Sequence, residues 1–129
     1  MNQAFLARIG ALCTIALISL TTACSDDPSG PGTFSVAVSG PTALGSVVVE
    51  FTGEGLTGAT ASPGDWISSA AGPSSLRVLA VAAQTGIIQF QLQVADVSAP
   101  LPTAFVVTGS GVDDRLLIGS GGVEVSISR

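Results

Sequence analysis

Apolar and polar side chains alternate along much of the chain after residue 33. The longest alternating stretch has apolar residues at even positions and glutamines at odd ones: Ile88, Gln89, Phe90, Gln91, Leu92, Gln93 and Val94. Successive side chains leave opposite faces of a strand, so this stretch predicts a strand with one buried and one solvated face. The same period predicts strands over residues 34–38, 47–51 and 123–127.

Other apolar runs are less regular. Residues 75–83, SLRVLAVAA, are apolar on both faces apart from Arg77, which is typical of a central strand or of one covered on both sides. Turns rich in glycine and proline separate the runs about every 8 to 12 residues, and no helical period follows residue 33. We therefore predict an all-β fold, a single antiparallel immunoglobulin-like sandwich of seven or eight strands, over residues 33–129.

The first 32 residues depart from this pattern. Arg8 precedes an apolar run of 12 residues, IGALCTIALISL. A helix of that length spans about 18 Å, whereas the hydrocarbon core of a bilayer is about 30 Å thick, so the run predicts the apolar region of an export signal. The stretch SDDPSGPGT that follows, residues 25–33, is small and polar, which predicts a disordered acidic tether.

The boundary between these segments, LTTAC at residues 20–24, resembles the lipobox of bacterial lipoproteins. The resemblance implies cleavage between Ala23 and Cys24, a diacylglyceryl group on the Cys24 thiol, and acylation of the new amino terminus by a fatty acid such as palmitate. Thr21 departs from the leucine usual at its position. The implied organisation is a signal peptide at 1–23, a lipidated cysteine and tether at 24–32, and the sandwich at 33–129.

Other interpretations of Cys24 are a core cysteine, a disulfide with Cys13, or plain secretion with cleavage nearby. Cys13 lies in the run that cleavage removes, so lipidation leaves no free thiol and no disulfide. Two or three acyl chains anchor a protein firmly, whereas one holds it only marginally. In the lipoprotein sorting rule an aspartate after the cysteine favours the inner membrane. The lipobox resemblance implies an exported protein that is anchored in the cell envelope. Because residue 25 is a serine, the sorting rule implies the outer membrane where the cell has one.

Residues 45–94 carry a second resemblance. The order GSVVVEFTGEGLTGATASPGDW, SLRVLAVAAQTG and IIQFQLQV is similar to the middle of cohesin-like β-sandwiches, a class related to some carbohydrate-binding modules. The resemblance implies a cohesin-like sandwich, and it suggests a glycan as a ligand.

Composition excludes several classes of function. The chain has no histidine and no lysine, and its net charge is −5, so it lacks the clustered cations of a nucleic-acid-binding surface, a Ser-His-Asp triad and histidine metal ligands. Paired carboxylates remain, but a sandwich this small has little room for a cleft that distorts a sugar. Asp113 and Asp114, beside Arg115, are expected to cap a solvated turn, with a calcium site as the alternative. We predict no enzymatic activity, no cofactor and no metal.

Candidate binding residues are Trp66, the only tryptophan, and the three glutamines Gln89, Gln91 and Gln93. Trp66 is expected to plug one end of the sandwich or to stack, exposed, on a sugar or a protein partner. The glutamines are expected to form the wet side of a strand or a polar binding face. The favoured function is a non-catalytic structural or interaction role, with an envelope protein as partner. The alternative is a cell-tethered carbohydrate-binding module.

Overall fold

The computed structural model describes residues 27–83, 86–113, 115–117 and 122–129. Over these residues the chain forms β-strands and no helix. The strands are β1 (Gly32–Ser39), β2 (Leu44–Thr52), β3 (Leu56–Ala61), β4 (Trp66–Ala71), β5 (Ser75–Val81), β6 (Ile88–Val94), β7 (Thr103–Gly111), β8 (Leu116–Leu117) and β9 (Glu124–Ser128). The predicted all-β fold is confirmed, with nine strands in the described residues where seven or eight were expected.

The strands form two antiparallel sheets. The four-stranded sheet has the order β3-β6-β1-β9, and the five-stranded sheet has the order β4-β5-β2-β7-β8. Consecutive strands β1 and β2 belong to different sheets, as do β3 and β4, so the chain repeatedly crosses between the two layers. This arrangement buries one face of each sheet against the other and leaves two outer faces.

The core lies between the sheets and is built by the alternation seen in the sequence. In β6 every even-numbered side chain is buried and every glutamine is exposed. β1 and β2 obey the same period, and their core side chains are Phe34, Val36, Val38, Val47, Val49 and Phe51. Phe51 and Phe90 meet across the sheets in an edge-to-face contact with ring centroids 5.9 Å apart. This geometry is the one that aromatic pairs prefer.

β5 lies between β4 and β2, so its prediction as a central strand is confirmed. Its inner side chains, Leu76, Val78 and Ala80, are buried. Its outer side chains Leu79 and Val81 are 36% and 37% exposed, so the strand is not covered on both faces within one chain. Apolar side chains therefore remain on the outer face of the five-stranded sheet.

The start of the sandwich is fixed by contacts with the β6–β7 connection. The Gly30 N–H donates to Asp96 Oδ1 at 3.0 Å, and the Val97 N–H donates to the Gly30 carbonyl at 2.9 Å. Arg129 at the other end of the chain donates to the carbonyl of Ala99 at 2.8 Å. The chain is thus held to the sandwich by these bonds from Gly30 onward.

Candidate functional site

Ala23 and Cys24, the predicted cleavage and lipidation residues, lie outside the described residues. Their roles stay predictions that rest on the sequence. Within the described part of the chain, no helix is long and apolar enough to cross a membrane.

Trp66 is the first residue of β4 and pairs with Val81 of β5. A turn over Ser62–Asp65 delivers the chain to this strand, and Asp65 Oδ1 accepts a hydrogen bond from the Ala83 N–H at 3.1 Å. Ile67 faces the core, so Trp66 points to the outer face, where 57% of it is exposed. The interpretation of Trp66 as a buried plug is therefore wrong, and its indole is available to a partner.

Gln89 and Gln91 lie on the outer face of the four-stranded sheet. They line a hollow of about 390 Å³ together with hydroxyl groups that include those of Ser35, Ser126 and Ser128. Gln93 is one step farther along β6, where its amide Nε2 donates to Thr60 Oγ1 at 2.9 Å and ties β6 to β3. The hollow presents amide and hydroxyl groups without charge, a surface suited to hydrogen bonding with a neutral polar ligand.

The structure does not bring Trp66 and the glutamines into one site. Trp66 belongs to the five-stranded sheet and the glutamines to the four-stranded sheet. Because outer faces of the two layers point in opposite directions, a single ligand cannot stack on the indole and bond to the centre of the glutamine row.

The carboxylates act locally and apart from one another. Glu50 Oε2 accepts from Arg77 Nε at 3.1 Å across neighbouring strands. Asp113 Oδ1 accepts from the Arg115 N–H at 3.3 Å, and its other oxygen lies 3.5 Å from Arg115 Nε, as predicted for a capped, solvated turn. Asp114 is outside the described residues. Among those described, no three acidic, histidine or cysteine side chains cluster to hold a metal ion.

The outer face of the five-stranded sheet is apolar, and the pattern within single strands does not reveal this surface. Its large exposed side chains come from four strands: Trp66, Leu79, Val81, Phe105, Val107 and Leu116. Monomeric soluble proteins rarely expose contiguous apolar patches larger than a few hundred Å². The signal in the sequence was the apolar side chains at the outward positions of residues 75–83, which period two places opposite the core.

The Asp96 carboxylate, in the β6–β7 connection, accepts three hydrogen bonds. The Ser98 N–H, the Ser98 hydroxyl and the Gly30 N–H all donate to its Oδ1, and these bonds hold its pKa below the usual range. The charged form is therefore favoured in the folded state. Its contribution to stability is fully present above the unfolded pKa of about 3.9 and is lost as the pH falls through the lower folded pKa.

We expect Asp96→Asn to reduce the acid sensitivity of the fold. The free energy of unfolding of the wild type should fall as the pH drops below about 4, partly through protonation of Asp96. The variant lacks that contribution, so its unfolding free energy should be lower at neutral pH and should depend less on pH below 4. Denaturant melts of both chains between pH 2 and pH 7 measure this. If the unfolding free energies of the two chains depended on pH in the same way, Asp96 would have the same pKa in the folded and unfolded states, contrary to this prediction.

Comparisons with protein-family models, with curated proteins and with solved structures return no significant match to this chain. The likeness of residues 45–94 to cohesin-like domains stays a prediction, and the sandwich architecture rests on the strands and their pairing.

Proposed function

We propose that this protein is a lipid-anchored β-sandwich of the bacterial cell envelope with a non-catalytic structural or interaction role. The observation that carries the proposal is the sequence LTTAC at the end of a 12-residue apolar run that is too short to span a bilayer. Lipidation at Cys24 places the domain on a membrane surface, in the outer membrane where one exists, without a spanning segment.

The position of the first contact with the fold supports a short anchor. Gly30 is hydrogen-bonded to Asp96, so only residues 25–29 separate a lipidated Cys24 from the sandwich. Five residues reach at most about 17 Å. The end of the sandwich that carries Gly30, Asp96 and Arg129 would therefore lie close to the headgroups, and the opposite end, with Trp66, would lie far from them.

The distribution of side chains supports an interaction role. Glu50, Asp65, Asp96 and Asp113 each take part in local bonds, either within turns and loops or to an arginine, and these bonds stabilise the fold. Six large apolar side chains that are exposed lie on one sheet face, the outer face of the five-stranded sheet. A tethered domain with such a face is suited to binding another protein.

We expect Cys24→Ser to abolish lipid labelling and to release the protein from the membrane. The serine hydroxyl lacks the thiol that receives the diacylglyceryl group, so no acyl chains would hold the domain. Metabolic labelling with a radioactive fatty acid and partition into detergent measure both effects. Cys13→Ser is the matched control, since Cys13 lies in the segment that cleavage removes. A Cys24→Ser chain that still incorporates the labelled fatty acid as the wild type does would exclude the lipoprotein assignment.

A tethered carbohydrate-binding module is the second candidate, and the hollow over Gln89 and Gln91 favours it. Amide and hydroxyl groups of such a hollow can donate to and accept from sugar hydroxyls. We expect neutral oligosaccharides such as cellohexaose to bind, and Gln89→Ala together with Gln91→Ala to abolish the heat of binding in titration calorimetry. Trp66→Ala is the control, because it lies on the other sheet. Binding that is lost with Trp66 and kept without the glutamines would place the glycan elsewhere.

A further inference from the structure

On the outer face of the five-stranded sheet, the side chains of paired residues on neighbouring strands form rows across the sheet. The row nearest the Trp66 end contains Trp66, Val81, Ser46 and Ser110, on β4, β5, β2 and β7 in that order. The second row contains Ser68, Leu79, Val48 and Thr108, and the exposed Val107 lies next to Thr108 where the register of β7 shifts. The third contains Ala70, Arg77, Glu50 and Phe105.

Arg77 and Glu50 lie on the two middle strands of this four-strand surface. The side chains of Arg77 and Glu50 are 61% and 33% exposed, and Arg77 Nη2 also contacts Glu50 Oε2. An exposed pair of this kind adds little to the stability of the fold. Its position between apolar side chains on both sides gives the face a positive half and a negative half.

We propose that two copies of this chain pack face to face through this surface, related by a two-fold axis that lies between the copies, parallel to the strands and midway between β2 and β5. This axis places β5 of one copy over β2 of the other and β4 over β7. A residue of one copy then faces the residue of the same row on the strand opposite. Two-fold contacts of this type require a surface that complements itself.

The charges meet this requirement. Under the two-fold operation Arg77 of each copy lies over Glu50 of the other, so the third row contains two pairs of opposite charge between the copies. A patch that carried only arginine or only glutamate at these positions would repel its own copy.

The sizes of the side chains also meet it. In the third row Phe105, which is 67% exposed, lies over Ala70 of the other copy. In the second row Leu79 lies over Val48, and Ser68 lies over Thr108. In the first row Trp66 lies over Ser110 and Val81 lies over Ser46. In each row the bulkiest side chain of one copy therefore meets a smaller one, which allows the two sheets to interdigitate.

A depression is present where the indole would enter. It has a volume of about 470 Å³ and lies among Ser46, Val81, Ser110 and Val112. The hydroxyls of Ser46 and Ser110 are hydrogen-bonded to each other at 2.8 Å and form part of its lining. Trp66 of the second copy faces this position, so the depression of each copy would receive the indole of the other copy.

The orientation of the two copies agrees with the lipid anchor proposed at Cys24. The membrane arrangement that follows rests on that proposed anchor. A two-fold axis parallel to the strands keeps Gly30 of both copies at the same end of the dimer, so both tethers can reach one membrane. The face of four strands, about 4.8 Å apart and about 20 Å long, projects about 400 Å². An interface this small is weak in solution, but tethering to one surface raises the effective concentration of the copies.

Disulfide cross-linking in membranes of cells that express the full chain tests the arrangement. A chain with Cys13→Ser, Ser68→Cys and Thr108→Cys has its new thiols three strands apart, about 14 Å, so they cannot bond within one chain. In the proposed dimer each lies opposite its counterpart. Thr60→Cys with Ser128→Cys is the matched control, since β3 and β9 are also three strands apart and both positions are exposed.

We expect oxidation to convert the Ser68→Cys, Thr108→Cys chain to a covalent dimer with at least a tenfold higher yield than the control. Equal yields would overturn the proposal, because random collisions on the membrane would cross-link both surfaces alike. Fatty-acid labelling of Cys24 is followed in the same samples. Chains that are labelled but give no dimer would refute the interface and support the lipid anchor. Chains that dimerise without being labelled would support the interface and refute the lipid anchor.

Charge reversal tests the contact between Arg77 and Glu50 across the interface by comparing two mixtures of variant chains. One chain carries Ser68→Cys with Glu50→Arg, and its partner carries Thr108→Cys with Arg77→Glu. Opposite charges face each other when these two are co-expressed, and we expect a cross-linked dimer. When both chains carry Glu50→Arg, like charges face each other and the yield should fall at least tenfold. Equal yields from the two mixtures would show that Arg77 and Glu50 do not meet across copies.

Discussion

Phe90→Ala is expected to lower the free energy of unfolding by about 3–5 kcal/mol, whereas Gln91→Ala, one residue away, should change it by no more than about 0.5 kcal/mol. Phe90 is 2% exposed and packs edge-to-face against Phe51, so truncation leaves a cavity that the two sheets cannot fill without moving. Gln91 faces solvent. A typical domain has only about 5–15 kcal/mol in total, so loss of this ring removes a large part of its stability.

Denaturant melts of the three chains measure the contrast. Because Phe90→Ala alone can unfold a weakly stable domain, Ile88→Val provides a smaller step at a buried position of the same strand, with an expected loss of about 0.5–1.5 kcal/mol. Losses of equal size at Phe90 and Gln91 would contradict the assignment of one buried and one solvated face to β6.

The strands that the sequence predicted well are those whose inner residues are large and apolar. In residues 34–38, 47–51 and 88–94 every second residue is a buried Val, Ile, Leu or Phe, so period two alone identifies the buried face. β3 and β4 have no alternation of large apolar and polar residues, so the sequence pattern does not predict them as strands. Their residues are mainly Ala, Ser, Thr and Gly, and both strands lie at sheet edges, where less apolar surface is buried. Their pairing depends on β5 and β6 rather than on a pattern of their own.

The exposure of Trp66 was not predictable from its neighbours in sequence. A tryptophan after a turn can point inward or outward, and the choice here follows from Ile67, which takes the core position opposite Ala80. The apolar outer face is a similar case. Leu79, Val48 and Phe105 are far apart in the chain, and only the register of β5, β2 and β7 puts them on one surface.

The start of the sandwich shows the limit of composition as a guide. Residues 25–33 are small and polar, which is typical of a disordered segment. Gly30 is nevertheless fixed by Asp96, a residue 66 positions away along the chain. A contact of this range leaves no mark in local composition, so the sequence overestimates the length of the tether.

Gly86→Ala is expected to lower the free energy of unfolding through both its backbone conformation and its close packing. Gly86 is buried and has a φ of +69°, a conformation that costs an L residue about 1–2 kcal/mol. An added Cβ would also lie 2.6 Å from the Cβ and 2.9 Å from the Cα of Ala43. Leu44, which follows Ala43, donates its N–H to the Gly86 carbonyl at 2.9 Å, so separating the two segments would break the bond that joins them.

Gly64→Ala separates the two contributions to this effect, because Gly64 has a φ of +92° but nothing within 4 Å of an added Cβ. The free energy of unfolding should therefore fall by only the conformational cost of about 1–2 kcal/mol in this variant. Gly86→Ala should lose about 1–3 kcal/mol more, the usual cost of overpacking, since backbone atoms of Ala43 must move. Thermal and denaturant unfolding of both variants measure the difference. Equal losses at the two positions would mean that the segment around Ala43 yields freely to the new methyl group.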